Sequence, residues 1–114
     1  MTTETNKIGG VTVIRLLESR LGAGEAAQFK SAIGALIVEG YTELVLDLSN
    51  LQFMDSSGLG AMVSVFKMLS GRGNVTVAGV SENLLSLLRM TRMDQVFPIY
   101  RSAGEAIESI LCEC

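Results

Sequence analysis

Asp55, Ser56, Ser57, Gly58 and Gly60 stand together in LQFMDSSGLGAMVSVF, residues 51–66, between two apolar runs. A carboxylate beside two hydroxyls is a combination used in nucleophilic catalysis, in phosphate chemistry and in helix capping. The chain contains no histidine. That removes Ser-His and Cys-His dyads, His-ligated metals and the commonest general base near neutral pH. A hydrolase built on Ser56 or Ser57 would need a lysine or carboxylate base, so no catalytic residue is assigned. Capping accounts for one or two of the polar groups, because Asp and Ser oxygens accept from the unpaired N–H groups of a first helical turn. It does not account for two glycines there, each costing about 1 kcal/mol relative to alanine. Their presence predicts close approach of another backbone or molecule.

A helix start also carries partial positive charge and free donors, which favour an anion. Nucleotide binding is the rival use of that geometry. The pattern G-x-x-x-x-G-K-[ST] is absent, and neither GLGAMV nor GAGEAA supplies G-x-G-x-x-G. The Asp55 carboxylate would also repel a bound phosphate. A covalent phosphate on Ser56 fits better. It adds roughly −1.5 to −2 charge at pH 7, which the helix end partly offsets, while any surface docked there meets a new dianion beside Asp55.

Alternating elements must hold this segment in place. VTVIRLLE (11–18) is rich in β-branched residues and predicts a strand, with TETNKIG as a hairpin partner across Gly9-Gly10. Between Gly24 and Glu39, Ala26, Phe29, Ile33, Leu36 and Ile37 recur at helical spacing. ELVLDLS (43–49) alternates Leu44, Leu46 and Leu48 with Val45 and Asp47, which suits an inner strand covered on both faces. A helix over Ser56–Ser70 turns Leu59, Met62, Val63, Phe66 and Leu69 inward. VTVAGV is another strand, Ser81 caps a third helix with Leu84, Leu85 and Leu88, and VFPIY reads as a short edge strand. Ser102-Ala103-Gly104-Glu105 opens a last helix. The order β-β-α-β-α-β-α-β-α predicts one α/β domain over residues 1–114. Its sheet is mixed but mainly parallel, with four to five strands packed against about four helices.

With 114 residues the chain has room for one core. The balance of 9 Lys and Arg against 12 Asp and Glu gives a net charge of −3, without a basic stripe, so nucleic-acid binding is not expected. No apolar run reaches membrane-span length and the N-terminus lacks a signal-peptide plan, so the expected location is the cytoplasm without membrane insertion. Cys112 and Cys114 are read as free thiols on a frayed terminus, and no metal site is assigned. Met54 and Met62 are expected in the core and Met90 and Met93 are the candidates for exposure, while Asp47 is read equally as a functional residue or as a satisfied polar residue at a strand end.

The segment LVLDLSNLQFMDSSGLGAMVSVFKML closely resembles the signature of the STAS domain, in its bacterial anti-sigma factor antagonist branch. The resemblance implies a non-enzymatic phosphorylation switch. In its unphosphorylated form such a protein binds an anti-sigma factor with serine kinase activity and so frees the sigma factor. The kinase then phosphorylates the antagonist, the complex separates, and a phosphoserine phosphatase resets it. By this resemblance Ser56 is the phosphoacceptor and Ser57 the fallback. Asp55, Ser56, Ser57, Gly58, Leu59, Gly60 and Gly22 are the expected partner-facing residues. No cofactor is implied, since ATP and Mg²⁺ belong to the partner kinase. One stretch departs from the family. Many relatives read G-E-L-D after the second strand, whereas here Ser19-Arg20-Leu21-Gly22 loses the acid at Gly22 and gains a positive charge at Arg20. The alternative is a STAS subunit of a transporter or stressosome-like scaffold that is not phosphorylated.

Overall fold

Gly9 and Gly10 both adopt positive φ (56° and 87°), the conformation that a tight two-residue hairpin turn demands and that glycine reaches without strain. They join strands β1 (Thr3–Ile8) and β2 (Val11–Leu16), which pair antiparallel from Thr3 opposite Leu16 to Ile8 opposite Val11. The computed structural model describes residues 2–112. From β2 the chain runs through β3 (Arg20–Leu21), α1 (Ala26–Val38), β4 (Glu43–Asp47), β5 (Phe53–Met54) and α2 (Ser56–Met68). It continues through β6 (Asn74–Ala78), α3 (Glu82–Met90), β7 (Ile99–Tyr100) and α4 (Ala103–Leu111).

The main sheet has the order β1-β2-β4-β6-β7 and is parallel apart from β1. This is the mixed, mainly parallel α/β arrangement with four helices that the alternation of strand and helix periods predicts. The central strand β4 carries apolar side chains on both faces, as expected of an inner strand. Leu44, Leu46 and Leu48 enter the larger core with Phe29, Ile33 and Ile37 of α1 and Met62, Val65 and Leu69 of α2. Val45 points the other way, joining Val11, Val13, Ala78 and Ala106 beneath α4. Asp47 at the end of β4 accepts from the Ser49 N–H at 3.0 Å. The buried set includes Met54 and Met62, whereas Met90 is 82% exposed at the end of α3.

Four details differ from the periodicity reading. The expected strand over residues 96–100 shortens to Ile99–Tyr100, because Val96 and Phe97 close the 3-10 turn Met93–Gln95 by donating to the Met93 carbonyl. Phe97 is buried there, Pro98 contributes only its carbonyl, to Val77 N–H, and Met93 packs against the core rather than projecting outward. Helix α2 is also rotated relative to the expected stripe. Its buried face is Gly58, Ala61, Met62, Val65 and Leu69, while Leu59 and Val63 are half-buried and Phe66 is exposed, edge-on to the Phe97 ring. The small residues face inward because the helix packs closely on its neighbours. Finally, the strand expected to run to residue 18 stops at Leu16, and Arg20–Leu21 pairs instead with Phe53–Met54 in a separate two-stranded parallel ladder. Two-residue strands carry no usable period. That ladder nevertheless positions the site. Cys112 is a free, exposed thiol, and Cys114 lies outside the described residues. Among the described residues no helix is long and apolar enough to cross a membrane.

Candidate functional site

The segment singled out by its chemistry folds as the start of α2. Asp55 is the N-cap, in extended conformation (φ −108°, ψ −172°). Its Oδ1 accepts from the Ser57 N–H at 2.8 Å and the Gly58 N–H at 3.1 Å, satisfying two of the donors that a helix start leaves unpaired. Its Oδ2 accepts from the Ala23 N–H at 3.3 Å, in the turn that leads from β3 into α1. One carboxylate therefore caps its own helix and ties that helix to a segment 32 residues away. The Gly58 hydrogen bond, supported by those from Ser57 and Ala23 and by the Arg20 guanidinium, holds the Asp55 carboxyl below its usual range against a smaller opposing effect of desolvation.

A depressed carboxyl pKa has a definite sign in folding. Its contribution is present above the unfolded value of about 3.9 and is lost as pH falls through the lower folded value. Asp55→Ala is therefore expected to lower the denaturation midpoint at pH 7. The gap from the parent should close under acid conditions once the parent's own carboxylate is protonated. Paired urea melts across pH would measure this, and a gap independent of pH would contradict it.

The glycines have separate causes. Gly58 is buried, and a Cβ built on it would lie 2.0 Å from the Leu21 carbonyl oxygen. The close approach predicted from the sequence is thus made by the backbone of β3, inside the domain. Gly58 is a spacer rather than a surface residue, which corrects its expected place on a partner-facing surface. Gly60 is exposed and a Cβ there meets nothing within 4 Å, so the chain itself does not require glycine at that position. Gly22 is also buried. Its N–H donates to Glu25 Oε1 at 2.9 Å, and its carbonyl accepts from the Glu25 and Ala26 N–H groups, so it opens the turn into α1. The vacant Cβ position of Gly22 lies 3.0 Å from Asp55 Oδ2, which makes it a neighbour of the site that shapes it from within.

Ser56 and Ser57 are both exposed, at the first and second positions of α2. Among the described residues neither hydroxyl is engaged in a hydrogen bond. Leu59 is half-buried against the core. The surface part of the expected set is therefore Asp55, Ser56, Ser57 and Gly60, with Leu59 at its edge. Sequence reasoning did not assign Arg20, Glu25 and Phe53 to it. The Arg20 guanidinium sits 4.7 Å over the Phe53 ring, and Arg20 Nε is 3.7 Å from Glu25 Oε1. Phe53 remains 45% exposed. The added charge at position 20 was visible in the sequence, but its aromatic neighbour arises only from the β3–β5 pairing.

Known proteins share sequence and fold with this chain. A model of the STAS domain matches residues 2–106. The anti-sigma F factor antagonist of Paenibacillus polymyxa is 37% identical over 68 residues, which span 59% of this chain and 58% of that protein, less than two thirds of its length. The anti-sigma-B factor antagonist of Listeria monocytogenes is 31% identical over 86 residues, 75% of each chain. Among solved structures, a candidate anti-sigma factor antagonist from Thermotoga maritima superposes with a TM-score of 0.84 at 25% identity, covering 94% of this chain and 92% of that one. The Bacillus cell fate determinant SpoIIAA in its phosphorylated form gives a TM-score of 0.72 at 20% identity, covering 96% and 99%, and so shares the fold.

Proposed function

The chain belongs to the STAS domain family, and on that premise we propose that it is an anti-sigma factor antagonist switched off by phosphorylation of Ser56. The observation that carries this reading is an exposed, unengaged Ser56 hydroxyl at the first position of α2, beside a carboxylate held ionised. Relatives named as anti-sigma factor antagonists support the same role. The unphosphorylated surface around Asp55, Ser56, Ser57 and Gly60 docks an anti-sigma factor with serine kinase activity and releases the sigma factor. The domain performs no catalysis in this scheme. The kinase brings ATP and Mg²⁺, transfers the γ-phosphoryl group to the Ser56 oxygen as the β,γ-phosphoanhydride bond breaks and ADP leaves, and takes up the hydroxyl proton. A phosphatase reverses the modification.

The physics of the site suits an on–off device. Asp55 already satisfies the Ser57 and Gly58 N–H groups, so a phosphate on Ser56 does not have to displace the cap. The helix end offers partial positive charge to the dianion, and the hydroxyl points to no internal partner that would be lost. Internally the modification is tolerable. At a docked interface it introduces up to two negative charges that must be desolvated or expelled.

Incubation with ATP, Mg²⁺ and candidate kinases, followed by mass spectrometry, tests this directly. Phosphate is expected on Ser56 and should disappear in Ser56→Ala. Transfer to Ser57 would move the acceptor by one residue. A kinase competent on other antagonists that leaves this chain unmodified would overturn the switch, and partner binding in that circumstance would mark a constitutive transporter or scaffold subunit.

A further inference from the structure

We infer that Arg20 is the internal receptor for a phosphate on Ser56, drawn off the Phe53 ring when the modification arrives. This rests on the switch reading of Ser56, but the surrounding geometry supplies it. Arg20 is loosely held: its Nε stands 3.7 Å from Glu25 Oε1, longer than a hydrogen bond, and its side chain is 59% exposed. It also stacks on the face of Phe53 at 4.7 Å and lies in the field of the Asp55 carboxylate. The Arg20 Nη2 lies 3.4 Å from the vacant Cβ position of Gly22, and Asp55 Oδ2 lies 3.0 Å from the same point. Absence of a side chain at residue 22 therefore leaves the guanidinium and the cap of α2 facing one small gap.

The charged groups around that gap are Arg20 from β3, Glu25 from the turn before α1, and Asp55 from the start of α2. Asp55 is committed to three backbone N–H groups and Glu25 to the Gly22 N–H. Neither carboxylate competes well for the cation. A phosphate on the adjacent Ser56 brings three acceptor oxygens and nearly twice the charge of a carboxylate, a geometry that the planar guanidinium fork matches in bidentate fashion. Once Arg20 moves to it, Phe53 loses its cationic cover. Phosphorylation then changes an aromatic patch as well as a charge, and a docking partner meets both.

The test uses the full chain with phosphoserine installed at residue 56 by genetic encoding, so that no kinase is needed. Phosphorus NMR follows the second phosphate ionisation. A nearby cation favours the dianion, so the ionisation should fall at lower pH in the Arg20-containing protein than in Arg20→Gln, by roughly half a pH unit. The Phe53 ring resonances should shift on phosphorylation only when Arg20 is present. Identical titrations with an unmoved ring would overturn the role of Arg20 and leave the switch itself intact. Failure of enzymatic labelling, by contrast, would remove the switch without altering this measurement.

Discussion

Replacing Gly58 with alanine is expected to destabilise the domain by about 3 kcal/mol, at the upper end of ordinary overpacking costs. The new methyl group would sit 2.0 Å from the Leu21 carbonyl oxygen and 2.9 Å from its carbon. Both are backbone atoms, so no rotamer change relieves the overlap. Either α2 must tilt away from β3, or the Arg20–Leu21 strand must move and pull the fully buried Leu21 side chain out of register with the core. Gly60, two residues further along the same helix, gives the internal comparison. A Cβ there meets nothing within 4 Å, and Gly60→Ala should be neutral or stabilising by up to about 1 kcal/mol through helix propensity. Urea denaturation followed by circular dichroism reads both variants. Equal stabilities for the two would show that the close approach of β3 is not what requires glycine at position 58.

Ser56→Asp is expected to weaken binding of the cognate anti-sigma factor by at least about 100-fold, near 3 kcal/mol, while leaving the domain folded. The two effects separate because the residue is exposed and contributes nothing to the core. Within the free protein, the added carboxylate gains from the helix start and loses from its neighbour Asp55, so the net change in stability should stay within about 0.5 kcal/mol. At an interface the same charge lies beside a second ionised carboxylate, and a docked partner must desolvate both. Ser56→Ala should bind like the parent and resist modification. Titration calorimetry with each variant distinguishes the outcomes, and an Ser56→Asp affinity equal to that of the parent would end the proposal of an electrostatic switch.

The parts of this molecule legible in the sequence share one property: their physical cause is local. Asp55 caps α2 because a carboxylate reaches N–H groups two and three residues ahead, wherever the rest of the chain goes. Phe29, Ile33 and Ile37 face the sheet because 3.6 residues make a turn, and β4 is apolar on both faces because helices cover both. The errors arose where that locality ends. In α2 the period was correct but the phase was not. Hydrophobic bulk put Val63 and Phe66 fully inward beside Leu59, whereas the close approach of β3 places Gly58 there, with Ala61 buried on the same face. In VFPIY the apolar run concealed a 3-10 turn closed by backbone hydrogen bonds to Met93.

The sequence by itself determined the alternation of strands and helices, the identity of the cap and the exposed serine next to it, since each depends on residues within one or two turns of each other. Only the tertiary structure decided what Gly58 is for, why Gly22 borders Asp55, and that Arg20 stacks on Phe53. These depend on the pairing of two strands only two residues long. Such strands carry too little pattern to announce a partner. Their register follows from how the larger core draws α1, α2 and the sheet together, a free energy that belongs to the whole chain and is encoded in no single stretch of it.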